Sequence, residues 1–355
     1  MIEPPAGFPD GSVRPGPRPS RRRRRSGPVR AVIAIIIAIV VTVPLAGVAF
    51  AVTNSRAISD WITAANYSPS PAIADLVSSS GMNNTGTRLF YASTPELNEA
   101  DAFNAACGIR PEQYLLGCYT GTKIHLYDIV EARLSGIREV TAAHEMLHAG
   151  YDRLDAVTKD RVGVLLEQAF AEHGDDPELI SRMAAYEVSQ PGTRLNELHS
   201  IIGTEFPTLD PELETYYARY FSDRSKVVTL HTAYAAVFAD IEAKSAALSS
   251  QLLALADDID SEISTYNADI TRLNQGVKTF NDRNAAFGYS GDEAGFNRDK
   301  ARLQGTSAGL DARLKDINAK QAQLTDLRGQ LQAIDADAQA LNRSINSTFV
   351  PSATV

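Results

Sequence analysis

Three patterns of apolar and polar positions divide the chain. Residues 31–52, AVIAIIIAIVVTVPLAGVAFAV, are 22 positions without a charge. A run of that length crosses the hydrocarbon core of a bilayer as a helix, and Pro44 is compatible with one. The run predicts a transmembrane helix over 31–52. At 122–128 the pattern has period two, with Ile124, Leu126 and Asp128 alternating against Lys123, His125 and Tyr127 after the turn-forming Gly121. That alternation predicts a strand. Helical spacing predicts elements at 136–149, 155–172, 177–189, 195–202 and 211–221, with a short helix near 72–77.

Beyond residue 231 the pattern becomes a heptad. Leu252, Ala256, Ile259, Ile263, Tyr266, Ile270, Leu273, Val277 and Phe280 follow one another in alternating steps of four and three, the seam of a coiled coil. A second run continues through Leu310, Leu314, Ile317, Leu324, Leu327, Leu331, Ile334, Ala338, Leu341 and Ile345, with a break in phase at 324–327. Between them lies 281–297, with Gly288, Gly291 and Gly295. The expectation is an antiparallel helical hairpin with helices of about 45 residues, roughly 65–70 Å long. Such an arm serves docking of a protein partner or self-association.

Composition adds an address. The chain has 355 residues, 44% hydrophobic and 22% charged, which are globular proportions. Residues 1–30 hold eight Arg against Glu3 and Asp10, with seven of the 17 Pro, so they read as a disordered segment. The rest carries 26 basic and 41 acidic side chains. A body this acidic does not bind nucleic acid nonspecifically. The arginines before the apolar run place the N-terminus in the cytoplasm and the bulk of the chain outside it. Ala49-Phe50-Ala51 would fit a signal-peptide cleavage site, but the apolar run is longer than the usual signal core, which favours an uncleaved, single-pass anchor in the bilayer. Arg and Ala prevail over Lys, as in GC-rich bacterial genomes. Cys107 and Cys118 are the two cysteines; on the exported side they are expected to form a disulfide. The expected organisation is a cytoplasmic segment 1–30, a membrane helix 31–52, a stalk 53–87, a compact domain 88–230, a helical hairpin 231–349 and a tail 350–355. The compact domain should be mainly α (α+β), with a small sheet.

The chemistry is concentrated in His144-Glu145-Met146-Leu147-His148. On a helix, His144 and His148 share one face, so both imidazoles can reach one Zn²⁺ ion, with Glu145 placed as a general base toward a water on that ion. Six histidines in 355 residues do not give this arrangement from composition alone. A third protein ligand is needed. Tyr151 and Leu154 stand where a metzincin would have Gly and His, which excludes that branch. The segment 194–206 offers Glu197, His199 and Glu205. Glu197 and His199 point about 200° apart on a helix, so only one of them can face the metal. Tyr186, Tyr151, His199, Tyr216, Tyr217 and His231 are candidates to stabilise a developing oxyanion, and 123–128 could offer a strand edge to an extended peptide.

His144-Glu145-Met146-Leu147-His148, followed by Asn196-Glu197-Leu198-His199-Ser200, resembles the gluzincin type of zinc metallopeptidase. In that group the second helix commonly reads Asn-Glu-x-x-Ser or Asn-Glu-x-x-Ala with the Glu on the metal. The resemblance implies Glu197 as third ligand, one Zn²⁺ per chain and peptide-bond hydrolysis. It covers two motifs within 140–206, and the gap between them is longer than in thermolysin-like members. The function expected is therefore a membrane-anchored, extracytoplasmic zinc peptidase acting on envelope proteins or peptides. The alternative is a non-enzymatic scaffold working through the coiled-coil arm.

Overall fold

The computed structural model describes Gly16, Val52, 54–108 and 115–348. The chain divides into two units, 1–58 and 59–355, and the account below concerns the second. The expected membrane span, but for Val52, lies outside the described residues, as does the tail 350–355. Among the described residues, no helix is long and apolar enough to cross a membrane.

The elements run α1 (Ser55–Asn66), α2 (Pro71–Ser79), α3 (Asn84–Ala92), β1 (Glu96–Asn98), α4 (Ala100–Cys107), β2 (Gly117–Tyr119) and β3 (Ile124–Tyr127). After a 3-10 turn at Ala132–Leu134 come α5 (Ile137–Asp152), α6 (Ala156–Glu172), α7 (Pro177–Ser189), α8 (Arg194–Glu205) and α9 (Pro211–Tyr217). Two long helices, α10 (Ser225–Ala285) and α11 (Glu293–Ile345), complete the chain. Local chemistry sets many helix starts. Ser70, Asn83, Asp155, Asp176, Asp210 and Asp292 each accept a hydrogen bond from a backbone N–H in the first turn, and Pro occupies the first turn of α2, α7 and α9.

The protein is mainly helical with a small mixed sheet, as the pattern predicts. Helix α5 is its axis. Ile137, Val140, Ala142, Ala143, Met146, Leu147, Ala149 and Gly150 are all buried, and so are Glu145 and His148 on its polar side, as befits a helix packed over most of its surface. Burial of a side chain such as Met146 or Leu147 contributes about 1.5–3 kcal/mol. Helix α8 runs against it, buried from Glu197 to Thr204. Gly203 permits the approach: a Cβ there would lie 2.5 Å from Leu147 Cδ1 and 2.7 Å from Tyr217 Cε1.

The sheet has the order β1-β3-β2, with β1 parallel and β2 antiparallel to β3. This corrects one expectation. The strand in 123–128 offers no free edge, because β1 and β2 cover both of its sides; the strand lying at an edge beside α5 is β2. The Cys107–Cys118 disulfide is present and ties β2 to the end of α4.

Two boundaries also move. Ile73, Leu76 and Met82 lie within the expected stalk, yet they are buried in the same core as α5 and α8. Apolar residues at helical spacing were enough to dock α2 even among Ser, Ala and Asn. The long helix begins at Ser225, inside the compact domain, and its Val227 and Val228 belong to that core. The hairpin itself matches the heptad reading, with Ile259, Leu310, Ile317 and Leu327 buried along the seam. Its far end returns to the domain. Leu341 and Ile345 pack with Ile129, Leu134 and Ile137, and Asn104 Nδ2 donates to the Ser347 carbonyl at 2.6 Å.

Candidate metal centre

Helix α5 places His144 and His148 one turn apart, with their Nε2 atoms 3.0 Å from each other. Helix α8 brings Glu197 to both: its Oε2 lies 3.8 Å from His144 Nε2 and 3.6 Å from His148 Nε2. Three donor atoms therefore form a triangle. The point equidistant from the corners of that triangle lies about 2.0 Å from each, the length of a zinc–imidazole or zinc–carboxylate bond. His144, Glu145 and His148 also satisfy the proximity required of a metal group, with ligand atoms within 4.8 Å of one another. A His/Glu/His group that could hold a metal ion is thus built into the core.

The electrostatics are those of two carboxylates and two imidazoles largely buried together. Glu145 and Glu197 are each 5% exposed, and burying carboxylates is costly unless a positive partner compensates. Burial raises the Glu145 carboxyl to about 7, with Glu197 adding to the rise, against His144 and a hydrogen bond from the Tyr119 backbone. Its Oε2 is buried and has no hydrogen-bond partner. Burial pushes His148 down to about 4, helped by His144 and opposed by Glu197 and Asn196. Burial works against protonation of His144 too, but its hydrogen bond to Glu197 and the surrounding carboxylates outweigh it and raise its pKa. Glu197 is held below the usual carboxylate range by the two histidines and Arg182, despite its burial.

The other ligand candidates from 194–206 are turned elsewhere. His199 is fully buried and sits among tyrosines. Its Nε2 is 2.8 Å from Tyr216 Oη, its carbonyl accepts from Tyr217 Oη at 2.8 Å, and its ring packs on Tyr151, Tyr216, Tyr217 and Tyr220. Burial depresses its pKa to about 3, so the ring is neutral. Glu205 is engaged by Arg182 through two bonds of 2.7 and 2.8 Å, with His231 Nε2 at 3.4 Å. The tyrosines around His199 are accordingly packing residues, and His231 belongs to the Glu205 cluster. Tyr186 differs. Burial raises its pKa strongly, and the next contribution is the charge of Glu197, with Glu145 also acting on it.

Sequence reading missed the partner of Glu145 across the helix. A Cβ at Gly117 would lie 2.8 Å from Glu145 Oε1 and Cγ and 2.7 Å from Thr141 Cγ2. The bare backbone of β2 is what makes room for the carboxylate. A three-residue strand carries too few positions to show a period, and only the neighbouring Cys118 marked the place.

No family model, curated protein or solved structure matches this chain.

Proposed function

We propose that this chain is a zinc-dependent peptidase of the gluzincin type, anchored by 31–52 in a bacterial membrane with its catalytic domain outside the cytoplasm. The observation that carries the reading is the triangle of His144 Nε2, His148 Nε2 and Glu197 Oε2 with the buried, half-unpartnered Glu145 beside it. His144, His148 and Glu197 would hold the ion. When bound, zinc supplies a Lewis acid and makes water acidic enough to attack near neutral pH.

The residues around it have definable work. Glu145 follows His144 on α5 and keeps one oxygen free of other partners, so it can take a proton from the attacking water and return it to the leaving amine. The Tyr119 N–H and the space at Gly117 fix the other side of the carboxyl. Asn196 Oδ1 and His148 Nδ1 are both buried without a hydrogen-bond partner, and Asn196 acts on the His148 ring; a bond between them would hold the imidazole in the tautomer that presents Nε2 to the metal. Tyr186 stays protonated at all physiological pH, which suits a donor to an oxyanion. An extended peptide laid along β2 would present its backbone to this group.

Metal content of the purified full chain tests the reading. About one zinc per chain is expected, lost in His144→Ala and in Glu197→Ala and retained in Glu145→Gln. Hydrolysis of a quenched-fluorescent peptide library should fall by roughly 10²–10⁴-fold in Glu145→Gln. Absence of metal after reconstitution with zinc, or unaltered hydrolysis in Glu145→Gln, would remove the reading and leave the arm as the working part of a scaffold.

A further inference from the structure

Helix α1 carries the only tryptophan of the chain, and its ring is 64% exposed. With Ile58 and Ile62, 38% and 49% exposed, Trp61 forms a contiguous apolar patch at i, i+3 and i+4 on one helix side, of the kind that marks a membrane or protein contact. The helix is not loose. Asp60, Thr63 and Ala64 form its inward side, and Tyr67 follows just beyond its end. Asp60 receives two bonds from Arg153, at 2.7 and 2.9 Å, and Tyr67 Oη donates to the Pro95 carbonyl at 2.6 Å. Arg153 in turn donates to the Ala149 carbonyl at the end of α5 and to Oη of Tyr119, the last residue of β2. Trp61 and Ile62, the latter 49% exposed, are therefore held outward by a pinned helix.

We infer that this outward side of α1 rests in the headgroup layer of the bilayer, with Trp61 and Ile62 inserted among the lipids. The inference rests on the proposed membrane span at 31–52. Only two residues separate that apolar run from the first residue of α1, and Trp61 is nine residues beyond its end. The headgroup layer is roughly 5–8 Å thick on each side. From Ser55 to Trp61 the helix rises about 9 Å. A helix standing upright would lift Trp61 out of that layer, whereas one lying flat keeps it in the layer along its whole length. Trp is the side chain best suited to that zone, with an apolar ring system and one N–H to satisfy.

The sole tryptophan reports on its own position. The full chain, reconstituted in phosphatidylcholine vesicles, would be floated on a density gradient and its emission recorded with lipids brominated at shallow or deep acyl positions. Expected are flotation with the vesicles, emission at shorter wavelength than in the acid-unfolded chain, and stronger quenching by shallow than by deep bromines. Flotation with long-wavelength emission, quenched by aqueous acrylamide and untouched by bromolipids, would overturn the inference while leaving the anchor intact. Short-wavelength emission without bromolipid quenching would overturn it in favour of a protein, such as a second copy, covering Trp61. Failure to float would overturn both the anchor and the inference.

Discussion

At position 117 a single methyl group would meet Glu145 Oε1 at 2.8 Å. Gly117 is distant in sequence from the histidines, and the atoms nearest a Cβ there belong to Thr141 and Glu145 rather than to the triangle, so it offers a way to separate holding a metal from using it. On the proposed peptidase reading, Gly117→Ala should keep the metal and lose hydrolysis on the order of 10²-fold, the usual consequence of displacing a reacting group by about 1 Å; metal analysis beside kcat/KM checks this. His199 makes a different statement. It is a base whose pKa falls to about 3 on folding. Between that value and the ordinary 6.5 the unfolded chain binds the extra proton, so acid favours unfolding. Stability is fully present above about pH 6.5 and declines below it, by at most ~1.4 kcal/mol per pH unit from this residue. Urea unfolding at pH 7 and pH 5 should show His199→Gln less stable than the parent at pH 7 but with a smaller loss on acidification. Equal losses would mean that the ring charges without unfolding. The spacing of His144 and His148 made their shared face legible in the sequence. It could not say which of Glu197 and His199 turns inward, because that depends on where α9 puts its tyrosines.

Among elements, long amphipathic helices were legible and short strands were not. α6 and α7 fall within a residue of where apolar spacing put them. β1 and β2, three residues each, exist because β3 pairs with them, and no local pattern announces such a partner. α2 looked like stalk because its composition is small and polar, but Ile73 and Leu76 suffice to seat it. The closeness of α5 and α8 was expected only through the resemblance that put Glu197 with the two histidines, and it is vulnerable because it depends on a missing side chain at Gly203. Gly203→Ala should destabilise the fold by about 1–3 kcal/mol through overpacking against Leu147 and Tyr217, although alanine is the better helix former. The denaturation midpoint measures it, and an unchanged or raised midpoint would show that the two helices separate without strain.

Over the whole molecule, the arm is built from 61 and 53 helical residues, and the seam that joins them was readable almost residue by residue. Less legible was how firmly it is set into the domain, since the first turns of α10 carry core residues and the last turn of α11 carries others. Phe287, in the turn between the helices, has φ +58° and is 84% exposed. Because both ends of the arm are seated in one body, this turn can be opened without setting anything free. Brief chymotrypsin treatment should cut after Phe287 first. The two fragments should run apart in denaturing electrophoresis yet leave a sizing column together until urea parts them. A nicked protein of this kind is, in effect, a two-chain heterodimer with a coiled-coil and domain interface, and its halves could be produced separately and recombined.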